Sequence, residues 1–283
     1  MNLFKIIADL EKVDPEMTAR LTHRRSALTL LGDLSKKFAL AAAPIAIGSA
    51  FNKAMGQNTL SAVNDVLNFA LTLEYLEEDF YAQALAAPTL AANLTTGSAA
   101  RNAIQTIKNH ETAHVTLLKG ALGTAAVARP ASFNFGTAFA TYASFLTFAQ
   151  AFEDTGVRAY KGQAGTLKTA GNPNNVLQTA LQIHSVEARH AAHVRYMRRA
   201  VDPLAASQYG WVTNAEANGA PAAVYNAGNP ATTFPAESNF TQAALDLRTQ
   251  LGTTYTAAEV SEAFDEALDN TTVLAIARSA ATF

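Results

Sequence analysis

The sequence predicts an all-α protein in which four long helices form a bundle and a less regular segment follows. Four segments of similar length repeat apolar residues alternately three and four positions apart, which is the period of an amphipathic helix. Of the 283 residues, 49% are hydrophobic and only 16% are charged. The chain can therefore bury one sizeable core, with length left over for a second, smaller region.

The first two predicted helices are joined by a short connection. One covers about residues 58–87 and stops at Pro88, and the next starts near Ser98 and ends at Gly120 or Gly123. Proline and glycine are typical of helix ends. The short connection between the two helices predicts that they are antiparallel neighbours.

The third helix is predicted over about residues 135–162. For the fourth, Asn172 is the expected N-cap, Pro173 is the first helical residue and Pro203 stops the helix. Between the second and third helices, residues 120–135 lack helical periodicity. At about 3.3 Å per residue this connection reaches roughly 50 Å, more than the length of a helix of about 25 residues. One long crossover connection along the bundle is therefore predicted.

Six ionisable residues lie on the predicted buried faces of these helices. The second and fourth helices each have a Glu-x-x-His pair, and the first and third each have a lone Glu followed seven residues later by Tyr. Residues three apart share a helix face, and carboxylate and imidazole are ligands for iron, manganese or zinc. Unpaired carboxylates in a core are costly unless a cation lies among them. The pattern predicts two metal ions held by Glu74, Glu111, His114, Glu153, Glu187 and His190.

Neighbouring residues leave alternatives open. Glu77 and Glu78 could add a ligand, replace Glu74 or face solvent. Glu74 is preferred because its seven-residue spacing to Tyr81 recurs in the third helix. Tyr81 and Tyr160 could hydrogen-bond the carboxylates or only pack. Three more histidines near the ligands are expected to support them or to lie at the surface: His110, His184 and His193.

These segments resemble the ferritin-like superfamily, and within it the exported bacterial ferritin-like proteins and plant desiccation-related proteins. The resemblance covers about residues 58–201 and depends on four sequence segments, namely LNFALTLEYLEEDFY, NHETAH, FAQAFEDTGVRAY and HSVEARHAAH. It implies a ferritin-like four-helix bundle with one long crossover connection. It also implies a role for each of the six residues. Glu74 and Glu153 would be terminal carboxylates, Glu111 and Glu187 bridging carboxylates, and His114 and His190 imidazole ligands.

The resemblance implies a dinuclear non-haem iron or manganese centre that works with dioxygen or peroxide, as a ferroxidase or in removing reactive oxygen species. The alternative is a non-catalytic stress or desiccation protein in which metal only stabilises the bundle. A third interpretation is a zinc metalloprotease, because residues 110–114 read H-E-x-x-H. That interpretation leaves the second Glu-x-x-His pair and both lone glutamates without a role.

Composition excludes several classes of protein. The formal net charge of -2 provides no global basic field for nucleic acid or an anionic membrane. Because the chain has no cysteine, it has no disulfide, thiolate metal site or iron–sulfur cluster. Any metal must be held by nitrogen and oxygen.

Residues 1–56 differ from the bundle, which is assigned to residues 57–202. The stretch THRRSAL, residues 22–28, resembles a twin-arginine export signal, and residues 38–51 form an apolar run too short to span a bilayer. Ala54 and Gly56 fit the small-residue pattern of a signal-peptidase site before Gln57. We expect export, periplasmic or beyond, with an uncleaved anchor at the membrane surface as the alternative.

Residues 203–283 are predicted to form a loop-rich extension with one or two short helices. Residues 202–242 are rich in Asn, Ala, Gly and Pro, which indicates irregular structure. Helices are predicted over 257–268, with its acidic residues on a solvated face, and over 271–280. The extension could cover one end of the bundle or form a contact in a homo-oligomer.

Overall fold

The computed structural model describes residues 56–250 and 255–283. The predicted export signal, with Arg24 and Arg25, and the apolar run after it lie outside the described residues. Within the described ranges, none of the helices combines the length and the hydrophobicity that crossing a bilayer requires.

Four long helices form the bundle: α1 (Gly56–Ala86), α2 (Ala99–Leu122), α3 (Tyr142–Thr169) and α4 (Val176–Arg199). α1 packs against α2 and α3, while α4 packs against α3 and contacts α2. Their apolar faces join in one hydrophobic core. The predicted four-helix bundle is confirmed.

The chain crosses the length of the bundle between α2 and α3. Glu74 precedes Tyr81 along α1, but their hydrogen-bond partners on α3, Tyr160 and Glu153, occur in the reverse order, so the two helices are antiparallel. α1 and α2 are antiparallel by the same test, through Leu85 with Arg101 and Glu74 with His114. It follows that α2 and α3 are parallel. The connection over residues 123–141 must therefore return along the bundle, as the sequence predicts.

α3 occupies residues 142–169 instead of the predicted 135–162. Thr141 caps the helix, because its hydroxyl accepts a hydrogen bond from the Ser144 N–H at 3.0 Å and the Ser144 hydroxyl accepts one from the Thr141 N–H at 3.0 Å. The aromatic residues that extended the predicted helix are loop residues that pack on α1, with Phe135 and Phe139 against Phe80.

α4 begins at Val176 rather than at Pro173, which instead opens a 3₁₀ turn over Pro173–Asn175. The residue that precedes α4 is Asn175 and not the predicted N-cap Asn172, although the Asn172 Oδ1 accepts a hydrogen bond from the Leu177 N–H at 2.7 Å. The predicted first helical residue was wrong because three asparagines have positive φ angles there: Asn172, Asn174 and Asn175.

The extension after α4 is mostly irregular, as predicted. Its regular elements are short: an antiparallel pair of strands, β1 (Thr241–Gln242) and β2 (Leu245–Asp246), and the helices α5 (Leu247–Gln250), α6 (Ala257–Ser261) and α7 (Asn270–Ala280). α7 matches its prediction. The helix predicted over residues 257–268 ends much earlier, at the end of α6.

The chain after α6 lies directly against α3. The Leu268 N–H donates to the Arg158 carbonyl at 3.1 Å, and a Cβ atom at Gly162 would lie 2.1 Å from the Leu268 carbonyl oxygen. Only glycine allows the two backbones to approach this closely. Glu266 is consequently buried, so its expected place on a solvated face was wrong; it accepts hydrogen bonds from Asn239 and Gln242.

Buried arginines of the bundle bind the extension. Arg158 on α3 forms an ion pair with Glu237 at 2.8 Å. Arg198 on α4 donates to the Asn218 carbonyl at 2.6 Å, to Gln150 on α3 at 3.1 Å and to Asp202. Both guanidinium groups are almost fully buried. Their partners come from distant segments, so these pairs were not visible in the sequence.

The Arg198 network predicts a large difference between adjacent arginines. Arg198→Ala should lower the free energy of unfolding by about 3–5 kcal/mol, because it leaves Asp202 buried without its partner. Arg199→Ala, an exposed change on the same helix, should change it by less than about 0.5 kcal/mol. Urea unfolding followed by circular dichroism measures both. Equal effects of the two substitutions would contradict a stabilising role for the network.

Candidate metal centre

All six predicted ligands lie in the interior of the bundle. The four glutamates have no exposed surface, and the two histidines are 5–8% exposed. α1 and α3 supply one glutamate each, and α2 and α4 supply one Glu-x-x-His pair each. The period of the helices brings all six to the same level of the core.

The six side chains form two sets that share two members. In each set, one ligand atom per residue lies within 4.8 Å of the others. Glu111 and Glu187 belong to both sets; Glu74 and His114 complete the first, and Glu153 and His190 complete the second. Shared carboxylates between two ligand sets are the arrangement that a pair of bridged metal ions requires.

The two histidines have closely similar surroundings. The His114 Nδ1 atom lies 3.0–3.2 Å from one oxygen of each of three glutamates, namely Glu111, Glu187 and Glu74. The His190 Nδ1 atom lies 2.9–3.2 Å from one oxygen of Glu111, Glu153 and Glu187. Each imidazole nitrogen therefore points at three carboxylates of one set.

The residues present fit a cation. Three buried carboxylate oxygens have a histidine Nδ1 atom at 2.9–3.2 Å but no well-aligned hydrogen bond from the described residues, and such incompletely paired atoms cost free energy; they are Glu111 Oε1, Glu187 Oε1 and Glu153 Oε2. Four ionised carboxylates would give the site a charge of about −4, which two divalent ions would neutralise. Oxygen and imidazole nitrogen donors suit iron, manganese and zinc.

Two tyrosines hold the terminal carboxylates from across the bundle. The Tyr81 hydroxyl on α1 donates to Glu153 on α3, and the Tyr160 hydroxyl on α3 donates to Glu74 on α1. Both tyrosines are buried. Hydrogen bonds of this kind orient a ligand and keep one of its oxygens free for metal. Of the two roles that the sequence leaves open, the structure shows the hydrogen bonds.

Glu77 and Glu78 separate into different environments. Glu77 is 3% exposed and lies beside Gly156 and Glu187, although it belongs to neither ligand set. Burial and the neighbouring carboxylates raise its pKa well above the usual range. Glu78 turns away from the centre, where it accepts hydrogen bonds from Thr112 and Arg129.

The additional histidines lie outside both ligand sets. His110 Nδ1 lies 2.9 Å from His190 Nε2, the ring nitrogen that faces away from the carboxylates. His184 Nδ1 donates to the Val157 carbonyl at 2.9 Å, and His193 is exposed. A zinc-protease site would need His110 and His114 on one ion, and the geometry does not bring them together on one.

The electrostatics of the metal-free site favour protonated histidines. Burial alone lowers the pKa of His114, but the facing carboxylates of Glu111, Glu187 and Glu74 outweigh it and raise the pKa to about 12. The pKa of His190 is raised for the same reason. Burial raises the pKa of Glu153 to about 7, against the lowering effect of His190. Protonated histidines therefore offset part of the negative charge of the carboxylate cluster.

Comparison with known families agrees with this geometry. The model of the ferritin-like domain family matches residues 62–200, which contain α1 from residue 62 onward, the whole of α2, α3 and α4, and all six clustered residues. No curated protein matches the chain. The chain thus has a ferritin-like domain and belongs to the ferritin-like superfamily, and its buried Glu and His groups could hold metal ions.

The shared position of Glu111 and Glu187 predicts how metal content responds to mutation. Glu111→Ala and Glu187→Ala should each remove most of the bound metal, because each glutamate belongs to both ligand sets. Glu78→Ala, the matched control on α1, should retain it, since Glu78 faces Arg129. Metal analysis of the purified variants measures this. Full metal content in the Glu111 variant would exclude the assignment.

The raised histidine pKa values predict proton release on metal binding. At neutral pH both imidazoles of the metal-free site are protonated, so each bound ion must displace a proton. Affinity should therefore fall as pH falls. Calorimetric titration with Mn²⁺ in two buffers of different ionisation enthalpy measures the released protons. Equal heats in both buffers, or affinity that does not change between mildly acidic and neutral pH, would contradict histidine ligation.

Proposed function

We propose that the ferritin-like domain holds two ions of iron or manganese, with zinc as a competing occupant, and acts as a ferroxidase or in removing reactive oxygen species. The observation that supports this is the pair of ligand sets joined by Glu111 and Glu187. Two such ions supply the capacity to exchange two electrons with dioxygen or peroxide.

In this proposal the protein binds the two ions, orients their ligands and shields the site from water. Glu74 with His114 and Glu153 with His190 would bind one ion each, and the two shared glutamates would bridge them. Tyr81 and Tyr160 fix the terminal carboxylates through their hydroxyl groups. Because the glutamates are fully buried, bulk water is excluded from the carboxylate cluster, which strengthens its hold on cations.

Proton transfer needs a group close to the centre, and Glu77 is suited to it. Burial and the neighbouring carboxylates raise its pKa well above the usual range, which favours the protonated form of the carboxyl group beside the cluster. Electrons must come from ferrous iron itself or from a separate donor, because the chain has no cysteine for an iron–sulfur centre.

A structural role is the second candidate. The burial of four carboxylates in one core destabilises the metal-free bundle, so a bound cation would stabilise the fold even without turnover. This role fits the resemblance to desiccation-related proteins that the sequence shows.

Turnover separates the two candidates. Protein loaded with iron or manganese should oxidise ferrous iron or consume peroxide through many cycles, and Glu111→Gln/Glu187→Gln should abolish this while Glu78→Gln retains it. Binding of metal to the native state alone should add about 2.7 kcal/mol of stability at a hundredfold excess over Kd. Stabilisation without turnover for any metal would reject the enzyme and leave the structural role.

Export to the periplasm or beyond is part of the proposal and depends on the Arg24-Arg25 pair. Replacing both with Lys should retain the protein in the cytoplasm. Mass spectrometry of the normal mature protein should show a start near Gln57, and a mature chain that begins at Met1 would contradict cleavage.

A further inference from the structure

An apolar cavity of about 330 Å³ lies in the bundle beside the candidate metal centre. All four helices line it, through residues 63–73 of α1, 117–121 of α2, 159–167 of α3 and 176–183 of α4. Its walls are mainly aliphatic, including Val66, Leu67, Leu73, Leu118 and Ile183. Nothing in the proposed metal chemistry uses this space.

The cavity has the size of a small organic molecule. An apolar cavity of about 150 Å³ holds benzene, so one of twice that volume has room for roughly a dozen carbon atoms. Its extent along α1, from Val63 to Leu73, corresponds to about 15 Å at 1.5 Å per residue. The dimensions fit a single linear chain better than a fused ring system.

The polar groups of the cavity are few and uncharged. Among the described residues, no Asp, Glu, Lys or Arg lines it, and its polar side chains besides Tyr160 are Asn64, Gln163, Asn174 and Thr179. Asn174 is exposed, and the other three are partly buried. These groups can hydrogen-bond a hydroxyl or an amide at the rim, but nothing there compensates the burial of a charge.

The cavity opens to solvent at the end of the bundle away from the metal ligands. Leu117, which lines it, is 44% exposed, and Ala121 and Asn174 are exposed as well. At the opposite end the Tyr160 ring forms part of the wall, while its hydroxyl donates to Glu74. A molecule in the cavity would be separated from a metal ligand by one side chain.

We propose that this cavity binds an uncharged amphiphile, with a linear chain of about a dozen carbons inside and a hydroxyl or amide head at the rim. The volume, the aliphatic walls and the uncharged polar rim each support this class of ligand. The inference concerns binding and does not depend on metal.

Calorimetric titration of the full chain with primary alcohols tests it. 1-Dodecanol should bind at one site per chain, and affinity should increase roughly fourfold per methylene from 1-octanol to 1-dodecanol, as expected for burial of about 0.8 kcal/mol per methylene. Dodecanoate should bind at least tenfold more weakly, because its charge has no partner. Absence of 1-dodecanol binding, or tighter binding of dodecanoate, would overturn the proposal.

Two substitutions locate the site. Ala121→Trp at the mouth and Ala180→Leu in the wall should each weaken 1-dodecanol binding at least tenfold. Ala99→Trp, an exposed change at the other end of α2, should leave it unchanged. Circular dichroism melting confirms that each variant is folded; because the mouth residue is exposed, Ala121→Trp remains informative if Ala180→Leu unfolds. Wild-type affinity in a folded Ala121→Trp variant would place the ligand elsewhere and overturn the proposal.

Discussion

The burial of four carboxylates at one level of a helical bundle is the constraint on which the rest of the structure depends. In a medium of low dielectric constant, like charges as close as those of each set, within 4.8 Å, repel strongly, and each carboxylate loses its hydration. The free energy of the fold therefore depends on what lies between the four groups. Protons on His114 and His190 satisfy part of this need, and two divalent cations would satisfy all of it.

Hydrogen bonds between helices α1 and α3 pair the outer oxygens of the two terminal glutamates, Glu74 and Glu153. Tyr81 and Tyr160 each donate a hydrogen bond to the glutamate on the opposite helix, so the same interaction occurs twice. This repetition follows from the equal seven-residue spacing on two antiparallel helices. It leaves the second oxygen of each glutamate facing a histidine, with Glu74 Oε2 3.2 Å from His114 Nδ1 and Glu153 Oε2 3.2 Å from His190 Nδ1. The protein itself thus orients the side chains of both sets, which would reduce the cost of ordering them around a cation.

The extension after α4 supplies hydrogen-bond acceptors to buried arginines of the bundle. Arg158 and Arg198 are buried in the interior of the bundle, and each has more donors than the bundle helices can pair with acceptors. Backbone carbonyls of the extension provide them, as at Asn218. The close contact of Gly162 with the Leu268 backbone belongs to the same seam. Bundle and extension therefore stabilise each other along α3 and α4, through residues outside the Glu and His cluster.

The sequence by itself determined the helices, the crossover and the six residues that cluster, because these follow from local periodicity and from residue spacing on a helix face. It also left Glu77 and Glu78 undecided, and it misjudged the start of α3 and the helix after residue 257. Only the tertiary structure decided these points. Glu78 forms an ion pair with Arg129 of the crossover connection. Phenylalanines before α3, such as Phe135, have helical spacing in the sequence but lie in a loop that packs on α1. The backbone at Leu268 hydrogen-bonds α3, so the helix predicted there does not form. Each outcome depends on contacts between residues far apart in sequence, which a local pattern cannot contain.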